Sequence, residues 1–256
     1  MSDLIIDQYR LQLSINPTFL LPEKATLIFL HDSLGCIELW RDFPNHIALK
    51  TGLNILSYDR QGYGKSAPFS TSKRDIDYLK NEAIILEKII NNLNLKNVIL
   101  FGHSDGGSIA LLAAALFPEK INAIITEGAH VFVEPETIEG IKKAVIAYKN
   151  TNLKEKLTRY HQNNTEAVFS MWTETWLSKE YESWNIEKYL PKIQCPSLII
   201  QGEKDEYGTI DQVHSIVNNT SGNSASLIIP NIGHTPHKES PEIILEKVTE
   251  FINTLY

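Results

Sequence analysis

The chain has 256 residues, 43% of them hydrophobic, so it can bury one large core and is of a size that commonly folds as one domain. Its net charge of −7, with no cluster of Lys and Arg, argues against binding to nucleic acid or to an anionic membrane. The two cysteines, Cys36 and Cys195, are too few for a disulfide framework, and no apolar run approaches the roughly 18 residues of a membrane span. Because the N-terminus lacks the pattern of a signal peptide, we expect a cytoplasmic protein.

Strand-like apolar runs alternate with helical patterns along most of the chain. After an N-terminal segment with β character, six runs are predicted as strands: 26–31, 54–59, 97–101, 121–126, 197–201 and 225–230. Apolar residues at steps of three and four predict an amphipathic helix over 74–93, and Ser240, Pro241 and Glu242 are typical of a helix N-terminus. This alternation predicts an α/β fold with a mostly parallel central sheet and flanking crossover helices.

The segment G-H-S-D-G-G, residues 102–107, lies directly between a predicted strand and a predicted helix. A serine in such a turn takes a strained backbone conformation and needs small residues two positions before and after it, which Gly102 and Gly106 supply. The turn lifts the hydroxyl above the sheet and points the free N–H groups of the helix N-terminus toward it. Ser104 is therefore the predicted nucleophile; the alternative is a glycine-rich turn with a bystander serine.

A nucleophilic serine needs a base and a group that orients the base. Two later strands run into G-E-K-D, residues 202–205, and N-I-G-H, residues 231–234, which supply Asp205 as the acid and His234 as the base. The chain order Ser, Asp, His is the order expected for a triad of the α/β-hydrolase type.

Each of these two assignments has a competitor. Glu127 follows the strand predicted over 121–126, a place where some members of the fold carry the acid, and the G-E-K-D context favours Asp205 over it. His237 lies three residues after His234 but lacks the preceding glycine after a strand. His31 and His103 flank the loops of the site, where we expect each ring to fix a loop through hydrogen bonds to the backbone.

These motifs, together with L-H-D-S-L-G (residues 30–35) and Y-D-R-Q-G-Y-G-K-S (residues 58–66), resemble the α/β-hydrolase superfamily over nearly the whole chain. The elbow looks most like that of the valacyclovir hydrolase (biphenyl hydrolase-like) branch. In that branch the aspartate matching Asp105 holds the α-amino group of an amino-acid ester. In the second motif, Arg60 and the glycines are expected to shape a turn beside the site.

The alternation of strands and helices stops between residues 134 and 190, where the pattern is helical, polar and rich in aromatic residues. The resemblance implies a lid at this point, so we expect an α/β-hydrolase core of residues 1–133 and 191–256 and a helical lid of residues 134–190. Trp172 and Trp176 lie four apart on a predicted helix. Two roles stay open for each: packing within the lid, as large aromatics do in small cores, or lining the substrate pocket.

The resemblance also implies where the oxyanion donors lie. One is the backbone N–H of Asp105; the other is the N–H of Ser33, with Leu34 as the fallback. Asp32 stands where the family usually has glycine, which leaves the geometry of this loop open but keeps the donor role, because any residue except proline can donate its N–H.

The sequence thus predicts a serine hydrolase that cleaves a small-molecule carboxylic ester through an acyl-enzyme. An ionised Asp105 would repel the oxyanion unless a cation offsets it, and that cation belongs either to the protein or to an α-amino-acid ester substrate. The alternatives are a general carboxylesterase or lipase-like enzyme, a C–C bond hydrolase, or a small-molecule receptor that keeps the triad. We expect no metal and no cofactor, because their sequence fingerprints are missing, and a monomer or homodimer.

Overall fold

An eight-stranded sheet forms the centre of the computed structural model, which describes residues 1–17 and 20–256. The strands, in chain order, are β1 Ser2–Ile6, β2 Tyr9–Asn16, β3 Thr26–Leu30, β4 Asn54–Tyr58, β5 Val98–His103, β6 Ile121–Glu127, β7 Ser197–Gly202 and β8 Ser224–Ile229. They lie in the order β1-β2-β4-β3-β5-β6-β7-β8. The pairs β1–β2 and β2–β4 are antiparallel and all the others are parallel, so the predicted mostly parallel sheet is confirmed.

The burial of the strands explains their sequence patterns. Every residue of β3, β4, β5 and β7 is buried, which is why these strands read as continuous apolar runs without alternation. In β3, Leu27 and Phe29 belong to one hydrophobic cluster and Ile28 and Leu30 to another. Since successive side chains of a strand point to opposite faces, the two clusters cover the two faces of the sheet.

The helices, in chain order, are α1 Phe43–Thr51, α2 Tyr78–Asn92, α3 Asp105–Leu116, α4 Pro135–Asn150, α5 Leu153–His161, α6 Thr165–Trp176, α7 Ile210–Asn219, α8 Pro236–Glu239 and α9 Pro241–Asn253. Helices α2 and α3 pack on one face of the sheet, and α1 and α9 pack on the other. The last of them begins after Ser240, as the sequence predicts. The helix predicted over 74–93 begins four residues later, at Tyr78, and Ile76 is 42% exposed because it lies in the turn before the helix.

Helices α4, α5 and α6 all lie between β6 and β7, where the alternation of the sequence stops. Residues of α4 and α6 line a cavity together with residues at the carboxyl ends of the strands, so this segment covers that edge of the sheet. The boundaries predicted for a lid, 134 and 190, stay a prediction. None of the helices in the described ranges is long and apolar enough to cross a membrane.

Candidate active site

Ser104 lies at the tight turn between β5 and α3, with φ 56° and ψ −118°. Its N–H donates to the carbonyl of Glu127 at 2.8 Å, which ties the turn to the neighbouring strand β6. A Cβ on Gly102 would stand 2.1 Å from the carbonyl oxygen of Gly106, and one on Gly106 would stand 2.0 Å from that of Leu30. Both glycines are therefore required by close backbone contacts, and the serine takes the strained conformation that the motif predicts.

His234 and Asp205 form a close pair at the ends of β8 and β7. His234 Nδ1 is 2.8 Å from both carboxylate oxygens of Asp205, whose side chain is 1% exposed. Because the carboxylate accepts, Nδ1 carries the hydrogen, and Nε2 of the neutral ring is left with a lone pair. Burial lowers the pKa of His234, but the Asp205 carboxylate more than offsets this and raises it above its ordinary value; His234 in turn holds the pKa of Asp205 low against the effect of burial.

Ser104 and His234 line the same cavity of about 220 Å³. In the ranges that the structure describes, the two side chains are not hydrogen-bonded to each other. A hydrogen bond of this kind often forms only when substrate binds, so its absence does not count against the pair. The cavity therefore holds a strained serine, a histidine with a free lone pair, and space for a small molecule.

The alternative acid and base, Glu127 and His237, pair with each other. His237 Nδ1 is 2.6 Å from Oε2 of Glu127, and both side chains are buried. The His237 ring packs 4.7 Å from Trp40 and 5.6 Å from Phe43, measured between ring centroids, on the face of the sheet that α1 covers. Neither Glu127 nor His237 is among the described residues that line the cavity.

The loop after β3 presents the N–H of Ser33 as a candidate oxyanion donor. Ser33 is buried and lines the cavity, and among the described residues neither its N–H nor that of Asp105 donates to another group. The N–H of Leu34, the fallback, already donates to Oδ1 of Asp32 at 2.8 Å. The carbonyl of Asp32 accepts from Gly35 at 3.2 Å, so the aspartate closes the turn that presents Ser33.

Arg60 has a larger role than the turn to which the sequence assigns it. Its side chain is 1% exposed, and it reaches the elbow: Nη1 is 3.6 Å from Oδ2 of Asp105. Its Nη2 donates to the carbonyls of Asp32 at 2.8 Å and His31 at 3.4 Å, both in the loop that carries Ser33. The position of Arg60, two residues after the end of β4, at the same edge of the sheet as Ser104, is the signal that could have found it.

Among the described residues, only one carboxylate oxygen of Asp105 has partners. Oδ2 accepts from the hydroxyl of Tyr78 at 3.0 Å and lies near Arg60, so the protein itself supplies a cation that offsets the charge of this carboxylate. Oδ1 accepts no hydrogen bond from the described residues, and Asp105 lines the cavity. A group of the substrate can therefore still reach this oxygen.

Both tryptophans line the cavity and both are buried, Trp172 to 7% and Trp176 to 3% exposure. Trp176 Nε1 donates to the hydroxyl of Tyr78 at 2.8 Å, so a chain of hydrogen bonds runs from α6 through Tyr78 to Asp105. Trp172 packs 6.0 Å from the ring of Tyr207. The two roles left open by the sequence thus coincide, since each ring packs within α6 and its neighbours while also facing the cavity.

Sequence reasoning missed His130 and Tyr207, which also line the cavity. The Tyr207 ring lies 4.8 Å from that of His234, and His130 Nε2 donates to the Tyr207 carbonyl at 2.9 Å. Burial and the neighbouring His234 lower the pKa of His130. Each of the two residues follows the carboxyl end of a strand, β6 or β7, and that position is the only sequence signal for it.

Comparison with known proteins agrees with the fold described above. Residues 25–187 match the family described as alpha/beta hydrolase fold, and the chain belongs to that family. It is 33% identical over 162 residues to the serine hydrolase BPHL of Homo sapiens, an alignment that covers 59% of this chain and 53% of that protein. The chain thus spans about half the length of this relative, which is the valacyclovir hydrolase (biphenyl hydrolase-like) protein, so the predicted branch resemblance is confirmed.

Two further similarities cover nearly the whole chain. A putative esterase/lipase of Haemophilus influenzae is 26% identical over 257 residues, 89% of this chain and 83% of that protein. The crystal structure of MGS-M2, an alpha/beta hydrolase enzyme from a deep-sea metagenome library, superposes with a TM-score of 0.82 at 20% identity, covering 98% of this chain and 97% of that one. The fold is therefore that of an α/β hydrolase, and the relatives are hydrolases.

Proposed function

We propose that the protein is a serine-dependent hydrolase of small-molecule carboxylic esters and that esters with a free amine near the scissile carbonyl are its preferred substrates. One observation carries the first part: a serine at φ 56° and a histidine held by a buried carboxylate line one cavity. The similarity to the serine hydrolase BPHL and to a putative esterase/lipase supports the same chemistry.

The proposed reaction proceeds through an acyl-enzyme. His234 Nε2 takes the proton of the Ser104 hydroxyl as Oγ attacks the ester carbonyl, and the carbonyl oxygen becomes an oxyanion bound by the N–H groups of Ser33 and Asp105. The protonated His234 then gives its proton to the departing alkoxide, which leaves as an alcohol. A water molecule attacks the acyl-enzyme in the same way, and the acid and free Ser104 result. Asp205 holds the ring in the tautomer that this sequence needs.

The preference for an amine rests on the charges of the cavity. Three carboxylates line it, those of Asp32, Asp105 and Glu206, whereas no Lys or Arg does so among the described residues. Among the described residues nothing donates to Asp105 Oδ1, which lies beside the nucleophile, and the rings of Trp172 and Trp176 line the same cavity, where an aromatic ring can attract a cation. Because Arg60 offsets the charge of Asp105 at Oδ2, Asp105 contributes a hydrogen-bond acceptor, Oδ1, and the carboxylates of Asp32 and Glu206 add negative charge to the lining. An ammonium group is the substrate charge that this combination stabilises.

The catalytic assignment is tested by removing the members of the triad singly and together. Ser104→Ala and His234→Ala should each lower kcat on a chromogenic short-chain ester by about 10⁴-fold or more, and the double variant should lose little further, because the two groups share one proton transfer. Circular dichroism and melting temperature control for folding. Retention of more than about a tenth of wild-type turnover by Ser104→Ala would refute the assignment.

The amine preference is tested with an α-amino-acid benzyl ester and its N-acetylated form. N-acetylation should lower kcat/KM by at least about tenfold in the wild type, because a charge-assisted hydrogen bond contributes about 1.5–3 kcal/mol. In Asp105→Asn the two esters should be hydrolysed at similar rates. Equal kcat/KM values for both esters in the wild type would leave a general carboxylesterase or lipase-like enzyme.

The same assays separate the remaining alternatives. Turnover of a diketone by an enzyme that cleaves none of the esters would indicate a C–C bond hydrolase. Tight binding of a small molecule without turnover, together with recruitment of a second protein, would indicate a receptor. Either outcome contradicts the proposed ester hydrolysis.

A further inference from the structure

The last residue of α5, His161, connects the helical segment of α4, α5 and α6 to the oxyanion loop, residues 31–35 after β3. His161 is 1% exposed. Its Nδ1 accepts from the N–H of Gly64, in the loop after β4, at 3.0 Å, and its Nε2 is 2.9 Å from the carbonyl oxygen of Leu34 in the oxyanion loop. One imidazole thus bridges two loops that follow neighbouring strands of the sheet.

The two partners fix the form of the His161 ring. Nδ1 accepts from a backbone N–H, so it carries a lone pair. A carbonyl oxygen only accepts, so Nε2 carries the hydrogen and donates it to Leu34. His161 is therefore a neutral imidazole in one tautomer. Burial lowers its pKa and outweighs the Leu34 carbonyl and the charge of Asp32, which act in the opposite direction, and this agrees with the neutral form.

The Leu34 carbonyl belongs to the turn that presents Ser33. The N–H of Gly35 closes this turn on the carbonyl of Asp32 at 3.2 Å, and the N–H of Leu34 donates to Oδ1 of Asp32 at 2.8 Å. The Leu34 carbonyl and the Gly35 N–H are parts of one planar peptide group. A hydrogen bond to that carbonyl therefore fixes the peptide group that closes the turn.

The oxyanion loop is held from two sides. On the side of the sheet, Nη2 of Arg60 donates to the carbonyl of Asp32 at 2.8 Å. On the side of the helical segment, His161 donates to the carbonyl of Leu34, and Ser33 lies between Asp32 and Leu34 in the chain. The direction of the Ser33 N–H therefore depends on the position of α5 as well as on that of Arg60.

Helix α5 buries one face. Leu157 and His161, four positions apart and thus on the same side, are its buried residues. Leu157 belongs to the larger hydrophobic cluster, whereas the His161 ring packs edge to face with Tyr63 at 6.0 Å between centroids and makes the two hydrogen bonds to the loops. Apolar contact holds α5 down without a preferred direction, and the hydrogen bonds of His161 set where it lies relative to Leu34.

We propose that His161 is a positioning residue through which the helical segment holds the oxyanion loop, so that the Ser33 N–H is aimed at the oxyanion only while α5 is docked. The imidazole touches no reacting atom and acts through the Leu34 carbonyl. The proposal rests on the proposed function in taking the Ser33 N–H as an oxyanion donor. It gives the segment that covers the cavity a part in transition-state stabilisation, in addition to forming a wall.

The effect on turnover is tested with a chromogenic short-chain ester. His161→Ala should lower kcat by about 10- to 100-fold, because a displaced donor stabilises the oxyanion less, and should change KM little, since the oxyanion is absent from the bound substrate. His161→Gln should recover most of the lost kcat, because its amide supplies a donor for Leu34 and an acceptor for Gly64. Leu157→Ala is the matched control: it should lower the melting temperature and leave kcat close to the wild-type value.

Three kinetic outcomes would overturn the proposal. The first is an unchanged kcat in His161→Ala. The second is an equal loss of kcat in His161→Ala and Leu157→Ala, because the packing of α5 would then account for the effect. The third is a loss that appears in KM alone, because the imidazole would then affect substrate binding and not the oxyanion.

Magnetic resonance of the wild-type protein tests the docking of α5 without any turnover. The ¹⁵N shifts of His161 should show a protonated Nε2 and an unprotonated Nδ1 at about pH 8, and the Gly64 amide should exchange slowly with solvent. In His161→Ala this exchange should accelerate by about tenfold or more, and the Ser33 amide resonance should move.

A protonated Nδ1 on His161, or a freely exchanging Gly64 amide, would overturn the proposal from the wild-type protein alone, even where no variant folds. Failure of the proposed function is seen differently, as retained turnover in Ser104→Ala. The signals of His161 and Gly64 do not depend on that result, so the two failures are distinguishable.

Discussion

Gly128, next after β6, lies directly against the candidate acid–base pair. Its φ is +55°, and a Cβ at this position would stand 2.8 Å from Cε1 and 2.9 Å from Nδ1 of His234. The glycine thus sets the distance at which β6 passes the imidazole. Even a methyl group here must displace the ring or the backbone, and both movements act on the geometry of the base.

We predict that Gly128→Ala lowers kcat by about 10- to 100-fold, since a displacement of about 1 Å in a catalytic group costs on the order of 10² in rate. Gly52→Ala is the matched control: Gly52 also has a positive φ, of +69°, but an added Cβ would meet nothing closer than Lys24 Nζ at 3.8 Å. Both variants should lose stability from backbone strain, and only Gly128→Ala should lose turnover. Similar kcat losses in both, measured beside melting temperatures, would contradict this role.

The Asp205–His234 pair predicts the pH dependence of the reaction. The pKa of His234 is raised, so the neutral ring that accepts a proton predominates only above the ordinary value of about 6.5. We expect the acid limb of kcat/KM above about pH 6.5 in the wild type and at lower pH in Asp205→Asn, which should also lose about 10⁴-fold in kcat through the wrong tautomer. A limb that rises in Asp205→Asn would contradict the assignment of the acid.

The pKa shifts of His234 and Asp205 also make the stability of the fold depend on pH. A histidine whose pKa is higher in the folded than in the unfolded state stabilises the fold below its unfolded value, and this contribution is lost as the pH rises through the folded value. The lowered pKa of Asp205 acts in the opposite range: its contribution is present above the unfolded value and is lost as the pH falls through the folded one.

At the scale of elements, α6 both packs within the helical segment and forms one wall of the cavity. Trp172 packs against Phe169 and Tyr207, whereas Trp184 packs against Trp176 and Tyr181 and does not line the cavity. Trp172 and Trp184 are buried to a similar degree, with 7% and 4% of their surface exposed. They therefore separate the effect of the cavity wall from the effect of packing.

We predict that Trp172→Ala changes the ratio of kcat/KM between a bulky and a small acyl ester by about tenfold in favour of the bulky one, because pocket volume is worth about 1–3 kcal/mol per methylene. Trp172→Ala and Trp184→Ala should each lower the free energy of unfolding by about 3–5 kcal/mol, but Trp184→Ala should leave the ratio of kcat/KM values unchanged. If the two variants shift the ratio equally, Trp172 acts only through the packing of the segment.

In the molecule as a whole, the two faces of the sheet differ in their relation to the cavity. The larger hydrophobic cluster includes α2, α3 and the tryptophans of the cavity wall, whereas the smaller one joins the sheet to α1 and α9. Every residue of α3 from Asp105 to Ala115 is buried, so the helix that carries the elbow is held on all sides. The α1–α9 face lies away from the cavity and serves as scaffold.

Ile47→Ala in α1 should therefore lower the free energy of unfolding by about 2–5 kcal/mol through loss of buried contacts and leave kcat at 25 °C nearly unchanged. Leu49→Ala, on the same helix but 83% exposed, should change stability by less than about 0.5 kcal/mol. Urea denaturation and steady-state kinetics measure both. A large kcat loss in Ile47→Ala would show that this face is coupled to the site.

The amino-acid sequence was sufficient to predict the alternation of strands and helices and to select Ser104, Asp205 and His234 as the candidate triad. These signals are local: a buried parallel strand is an apolar run, a tight turn needs glycine, and polar residues after such strands meet at one edge of the sheet. The start of α2 was placed four residues early because Ile76 fits the apolar spacing although it precedes the helix.

The partners of the polar side chains around the site follow from the three-dimensional arrangement of the loops and not from any local pattern. Arg60 and Asp105, Asp32 and His103, and Glu127 and His237 are separated by 45, 71 and 110 residues in sequence and meet because the strand order brings their loops together. Composition and periodicity describe how far a segment is buried, whereas the identity of a partner depends on distances of 3–4 Å between segments that no local pattern specifies. For this reason the candidate nucleophile could be selected from one hexapeptide, and the charges that surround it could not.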